Sequence, residues 1–114
     1  MLKTLAIATT LLAAAGSPVH AQTDLTAYAD ANGYINVQAL TCAALAGTWQ
    51  EDADRLTTWY SGWYNGLAKK SSINLPRVRE GIHEVIVYCK ANQGTTIIKA
   101  IDAVLKAEKA RTAK

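Results

Sequence analysis

Leu56, Trp59, Tyr60, Trp63, Tyr64 and Leu67 recur at steps of three and four residues. That interval places them on one face of an α-helix. On a helical wheel the stripe is roughly 140° wide, broader than a coiled-coil seam. Glu51, Asp52 and Asp54 precede it, where acids suit the positive end of a helix dipole, and Lys69 and Lys70 close it at the negative end. A shorter helix comes before: Thr41 is placed to cap a segment through Cys42, Leu45 and Ala46, which Gly47 ends. After the stripe, Asn74 to Pro76 forms a helix start with proline in the first turn. Val78, Ile82, Val85, Ile86 and Cys89 then share a face, and Asn92-Gln93-Gly94 ends that helix. Thr95 or Thr96 caps a fourth, with Ile97, Ile98, Ile101, Val104 and Leu105 as its apolar positions. The pattern predicts an all-α fold, a small single-domain bundle of about four helices.

Either side of this block the periodicity fades. Residues 22–35 read as an arm, partly flexible, with a turn at Asp30-Ala31-Asn32-Gly33 and with Tyr34, Ile35 and Val37 as candidates to pack. Asp30-x-Asn32-Gly33 has some calcium-loop spacing, but the outer ligand positions fall on Tyr28 and Ala39, which rules the loop out. The helical domain spans 36–105, and residues 106–114 form a basic, alanine-rich tail expected to fray.

The first residues are of another kind. Lys3 is followed by an uncharged run from Leu5 to Ala15, a break at Gly16-Ser17-Pro18, and Val19-His20-Ala21. Basic start, apolar middle and small-residue site describe a secretory signal cut after Ala21, so residues 1–21 are assigned to a signal peptide. The run is too short for a membrane span. The mature chain from Gln22 has length for one modest core, and no further apolar run long enough for stable membrane insertion. Its only cysteines, Cys42 and Cys89, read as one disulfide in an exported protein. The chain-entropy model gives such a loop about 4 kcal/mol. That is a large share of the roughly 5–15 kcal/mol typical of a domain.

Charge is divided along the mature chain. Asp24, Asp30, Glu51, Asp52 and Asp54 come before any Lys or Arg, and every base follows from Arg55 onward. Without Lys3, eleven bases face nine acids, a net of +2. That polarity suits self-complementary contacts and is too mild to argue for nucleic acid.

Little in the sequence advertises catalysis. His83 is the one histidine after the leader, and although His83-Glu84 begins like a zincin motif, no second histidine follows at the required spacing. There is no C-x-x-C and no phosphate-binding glycine loop, and the mature chain has no methionine for a thioether copper site. The acids around Asp52 are explained by a solvated helix start. The expectation is a protein that is not an enzyme and has no catalytic residues, metal or cofactor. The aromatic stripe is the main feature left. Its four rings can bury about 150–250 Å² each, which makes this the central core helix. The Ile- and Val-based partner helices are thin, so a face this wide overfills one small core and continues into a subunit contact. Gly62 and Gly66 lie at its edge, a spacing that in a soluble helix lets a neighbouring backbone come close.

"LTCAALAG", a Trp/Tyr-rich helix and "LPRVREGIHEVIVYCKANQ" together resemble the HdeA/HdeB family of periplasmic acid-stress chaperones. The resemblance runs from about Asn36 to Ile101, with Thr41-Cys42 at one helix start and Val87-Tyr88-Cys89-Lys90 at a helix end. It implies an all-α homodimer at neutral pH, with Cys42 and Cys89 as the family's disulfide. It also implies an ATP-independent holdase in the periplasm, activated by acid, that keeps unfolding client proteins soluble. The longer arm before Asn36 and the high aromatic content depart from the family pattern and leave the activation pH open. On this reading Leu56, Trp59, Tyr60, Trp63, Tyr64 and Leu67 form the dimer interface or client-binding face, and Glu51, Asp52, Asp54, Glu80 and Glu84 are the candidate pH sensors. With all nine acids protonated and His83 charged the mature chain would reach about +12 by reference pKa values, so acid sets self-repulsion against the compact dimer. Other readings are a constitutive periplasmic binding module, an inhibitor or adaptor that uses the aromatic face at neutral pH, and a structural helical protein indifferent to pH.

Overall fold

The computed structural model describes residues 22–112, so the signal peptide read at 1–21 lies outside the described residues. Among these residues four helices follow one another: α1 (Cys42–Gly47), α2 (Gln50–Leu67), α3 (Leu75–Ala91) and α4 (Ile97–Thr112). A single 3-10 turn, Leu25–Tyr28, precedes them. Among the described residues there is no β-strand; Thr41 and Thr96 form one isolated antiparallel bridge.

The shortest helix sits at the centre. α1 packs on α3 and also touches α2 and α4. Cys42, Ala44 and Leu45 are all buried. Small side chains on a short helix let three longer ones approach it, so α1 and not the aromatic helix is the hub, contrary to the expectation from stripe width. Thr41 stands at the N-cap as expected, but its side chain makes no capping bond. The free amides of the first turn are met by another element: Cys42 N–H donates to the Thr95 carbonyl at 2.7 Å and Ala43 N–H to that of Gln93 at 3.0 Å. These bonds satisfy helix-end donors that would otherwise be orphaned beside the core. They join α1 to the α3–α4 turn. The disulfide Cys42–Cys89 crosses the same junction, with a Cα separation of 4.6 Å.

Local chemistry sets the other boundaries. Asn74 caps α3, its side chain accepting from Arg77 N–H at 3.0 Å. Thr96 Oγ1 accepts from Lys99 N–H at 3.3 Å at the start of α4. α2 ends in a left-handed residue, Lys69 with φ of 55°. There Lys70 N–H returns to the Asn65 carbonyl at 2.9 Å and Lys69 N–H to that of Gly66 at 3.0 Å. This is a Schellman closure, normally built on glycine. At Gly33, φ of 86° gives the arm's turn its sharp bend, and Asp30 Oδ1 accepts from Asn32 N–H at 2.9 Å and Tyr34 N–H at 3.0 Å. The aspartate's polar capacity thus goes into the turn.

The arm is tied to the body at several points. Thr23 N–H donates to the Gly47 carbonyl at 2.8 Å, and Leu25, Ile35 and Val37 pack against the core. Tyr34 does not join them and is 75 % exposed. At the other end α4 runs on to Thr112, past the Leu105 limit expected from the apolar pattern. Arg77–Glu108 and Arg111–Glu84 ion pairs hold that extension against α3.

Candidate functional site

The aromatic stripe divides lengthwise. Ala53, Leu56, Thr57 and Tyr60 are buried and face the core. Trp59 and Leu67 face solvent, while Trp63 and Tyr64 are half-buried. The reason is geometric: one helix face of about 100° suffices to pack against a hub as small as α1, so a wider stripe leaves one edge outside. Trp59 and Trp63 stand one turn apart, with ring centroids at 5.9 Å and planes inclined by 30°. Trp63 meets Tyr64 edge-on at 5.3 Å. Gly62 and Gly66 lie on this outer side, and a Cβ built at either would meet nothing within 4 Å. Among the described residues no backbone uses the close approach that their spacing permits. Trp49, just before α2, is a further exposed large aromatic; an isolated aromatic outside any periodic run carries no sequence signal for its exposure.

The buried side has two polar handles. Tyr60 hydroxyl donates to the Val37 carbonyl, and burial pushes its pKa up to about 12. Tyr64 hydroxyl donates to Asp102 Oδ1 of α4 at 3.4 Å. Burial, and then the neighbouring Asp102 charge, raise the Tyr64 pKa as well.

Beyond these tyrosines the C-terminal half of α2 diverges from α3 and α4. A cleft of about 840 Å³ opens between them. Tyr64, Val78, Ile82, Ile101 and Leu105 supply apolar walls, and Lys70, Arg77, Glu108 and Lys109 supply its charges.

The carboxylates predicted as sensors fall in different settings. Asp52 joins two elements: Oδ2 accepts from Leu25 N–H at 3.3 Å and Oδ1 from Arg55 at 3.1 Å. Asp54 accepts from Gln50 Nε2 at 2.9 Å, one turn away. Glu84 receives Arg111 Nη2 on both oxygens, each at 3.2 Å. Glu51 and Glu80 are exposed and enter no ion pair among the described residues. Besides Asp30 in the arm's turn, three acids outside the predicted sensors also make polar contacts. Glu108 pairs with Arg77, Asp102 accepts from Tyr64, and Asp24 accepts from Thr26 N–H at 2.9 Å and Thr26 Oγ1 at 2.8 Å. The two Thr26 bonds, the backbone one foremost, hold the Asp24 carboxyl below its usual range. Asp24 carried a local cue, an acid two residues before a threonine; Asp102 and Glu108 had none, because their partners are distant in sequence.

Among the described residues no group of three or more His, Cys, Asp or Glu could hold a metal ion. No described helix is long and apolar enough to cross a membrane. His83 is exposed, beside a shallow hollow between α3 and α4.

Neither the curated proteins nor the solved structures compared with this chain give a match. A family model does, over residues 4–99. Those residues include the disulfide, the aromatic helix and the whole of α3. Most of the sequence is thus matched, and the chain belongs to the HdeA/HdeB family.

Proposed function

We propose that the mature chain is an ATP-independent, acid-activated periplasmic chaperone. It is a homodimer at neutral pH and holds unfolding client proteins soluble at low pH. Membership of the family supports the class. One observation carries the acid dependence. Among the described residues, all side-chain hydrogen bonds joining distant parts of the chain but Tyr60–Val37 end on a carboxylate: Leu25–Asp52, Tyr64–Asp102, Arg77–Glu108 and Arg111–Glu84. Protonation removes the charge from every one of those acceptors, and charge-assisted bonds are roughly twice as strong as neutral ones. These carboxylate links therefore weaken together, while nine lost negative charges leave the chain strongly cationic.

The outer edge of α2 is the natural contact surface. Trp59, Trp63 and Leu67 beside two uncovered glycines offer an apolar strip that a second copy covers at neutral pH. In acid the copies separate and the strip receives apolar client segments. Leu56 and Tyr60 add to it only if the protomer loosens, since both are buried in the folded chain. The disulfide limits unravelling and keeps a route back to the fold.

The test is light scattering from an acid-sensitive client, with and without the disulfide-intact mature protein, at pH ~7 and at pH ~2 without nucleotide. Suppression of aggregation in acid alone supports the reading. Stoichiometric client binding at neutral pH, unaffected by acid, would transfer it to a constitutive binding module.

A further inference from the structure

The buried residues of α4 are Ile97, Ala100 and Val104. Past Val104 none is buried, yet the helix continues for two more turns. A helix end with no buried residue gains little from packing, so its polar contacts with α3 decide how firmly it is held. Two ion pairs supply them, and they straddle the α3–α4 seam. Arg77–Glu108 lies on the side of the large cleft, and Glu84–Arg111 on the side of the shallow hollow that includes His83. Val104 lines both spaces and marks the seam between them. Both carboxylates are substantially covered, with side chains 30 % and 29 % exposed for Glu108 and Glu84. Their arginines reach in from solvent.

We propose that residues 105–112 of α4 are an acid-released latch, clamped on α3 by Glu84 and Glu108 at neutral pH and freed when both take up protons. Glu108 shares its cleft with Arg77 of α3, Lys109 of α4 and Lys70 of the α2–α3 connection. Glu84 faces Arg111 of α4, with His83 beside it, and Glu80 precedes it by one turn on the exposed side of α3. Once Glu84 and Glu108 are neutral, Arg111 and Arg77 lose their partners, and Arg77 is left in the cleft with Lys70 and Lys109. Release widens the cleft at Val78, Ile82 and Leu105. Glu108 and Arg111 lie beyond the matched residues 4–99, so family membership assigns them no role. Use of the widened cleft for clients rests on the chaperone reading above; the latch itself does not.

The experiment follows amide exchange, corrected for intrinsic rate, in residues 97–104 and 105–112 of the mature disulfide-bonded chain from pH ~7 to pH ~3. In the native sequence, protection of 105–112 is lost at higher pH than that of 97–104. In Glu84→Gln/Glu108→Gln, and in the corresponding double alanine variant, 105–112 exchanges about tenfold faster at neutral pH while 97–104 is unchanged. Native-like protection of 105–112 in both variants overturns the latch, as does simultaneous loss of both segments in the native chain. Client protection is read in the same samples. Latch release without any client protection leaves the latch standing and removes the chaperone reading. Protection with 105–112 still ordered does the reverse.

Discussion

Trp59 and Tyr60 are adjacent in sequence and their rings meet edge-to-face at 5.5 Å, yet Tyr60 is 1 % exposed and Trp59 is 49 % exposed. One peptide bond separates a core residue from a surface residue. Truncating each should therefore do different things. Tyr60→Ala should destabilise the protomer by about 3–5 kcal/mol, as for other large buried aromatics. Trp59→Ala should cost the protomer about 1 kcal/mol or less while weakening self-association and acid-phase client protection. Urea unfolding of each variant, with sedimentation at neutral pH, separates the two effects. Equal losses of stability would contradict the division of the stripe.

The Tyr60 hydroxyl gives a second prediction, at high pH. Its folded pKa of about 12 is raised by burial, above the ordinary value of about 10. The folded state therefore keeps a proton that the unfolded chain gives up. The associated stability is fully present below pH ~10 and falls as pH rises toward ~12. Tyr60→Phe should lose about 1 kcal/mol at neutral pH with its bond to Val37, and should also flatten the alkaline decline. Absorbance titration of the tyrosinates alongside unfolding curves checks both.

Lys69 occupies the left-handed position that closes α2, where a Cβ is unfavourable by about 1–2 kcal/mol. Lys69→Gly keeps the two closing bonds from Lys70 and residue 69 to the carbonyls of Asn65 and Gly66. It should raise stability by about 0.5–1 kcal/mol, after the entropic cost of glycine is deducted. Lys69→Ala should bring no such gain. A higher urea midpoint for the glycine variant alone is the expected result.

Asp24 provides a control for the acid response. Thr26 lowers its pKa in the folded chain, so its contribution is present above the unfolded value of about 3.9 and is lost only as pH falls through a lower one. Its window opens after ordinary carboxylates have begun to protonate. Asp24→Asn should therefore leave the midpoint of acid dissociation unmoved while loosening the Leu25–Tyr28 turn. A carboxyl carbon titration places the Asp24 midpoint directly; a value above about 4 would be inconsistent with this account.

Local signals made much of the fold legible. Asn74 with Pro76, Gly47, and the threonines before Ile97 each act within one turn, and each marked its boundary. The Cys42–Cys89 pair was readable because only two cysteines were present. What stayed hidden depends on distance. Thr41 could not reveal that Gln93 and Thr95 carbonyls would satisfy the α1 amides. The stripe could not reveal which of its edges would be covered, since that is decided by the small radius of α1. Arg77–Glu108 and Glu84–Arg111 join residues 31 and 27 positions apart, and neither pair leaves a trace in helical periodicity. For the same reason the end of α4 looked like a tail.

The most direct measurement follows sedimentation of the disulfide-intact mature protein and aggregation of a standard client in one series from pH ~7 to pH ~2. The account predicts a dimer at neutral pH, a loss of dimer as the carboxylates protonate, and client protection rising over the same interval. A dimer that persists throughout, or protection already complete at pH ~7, would contradict it.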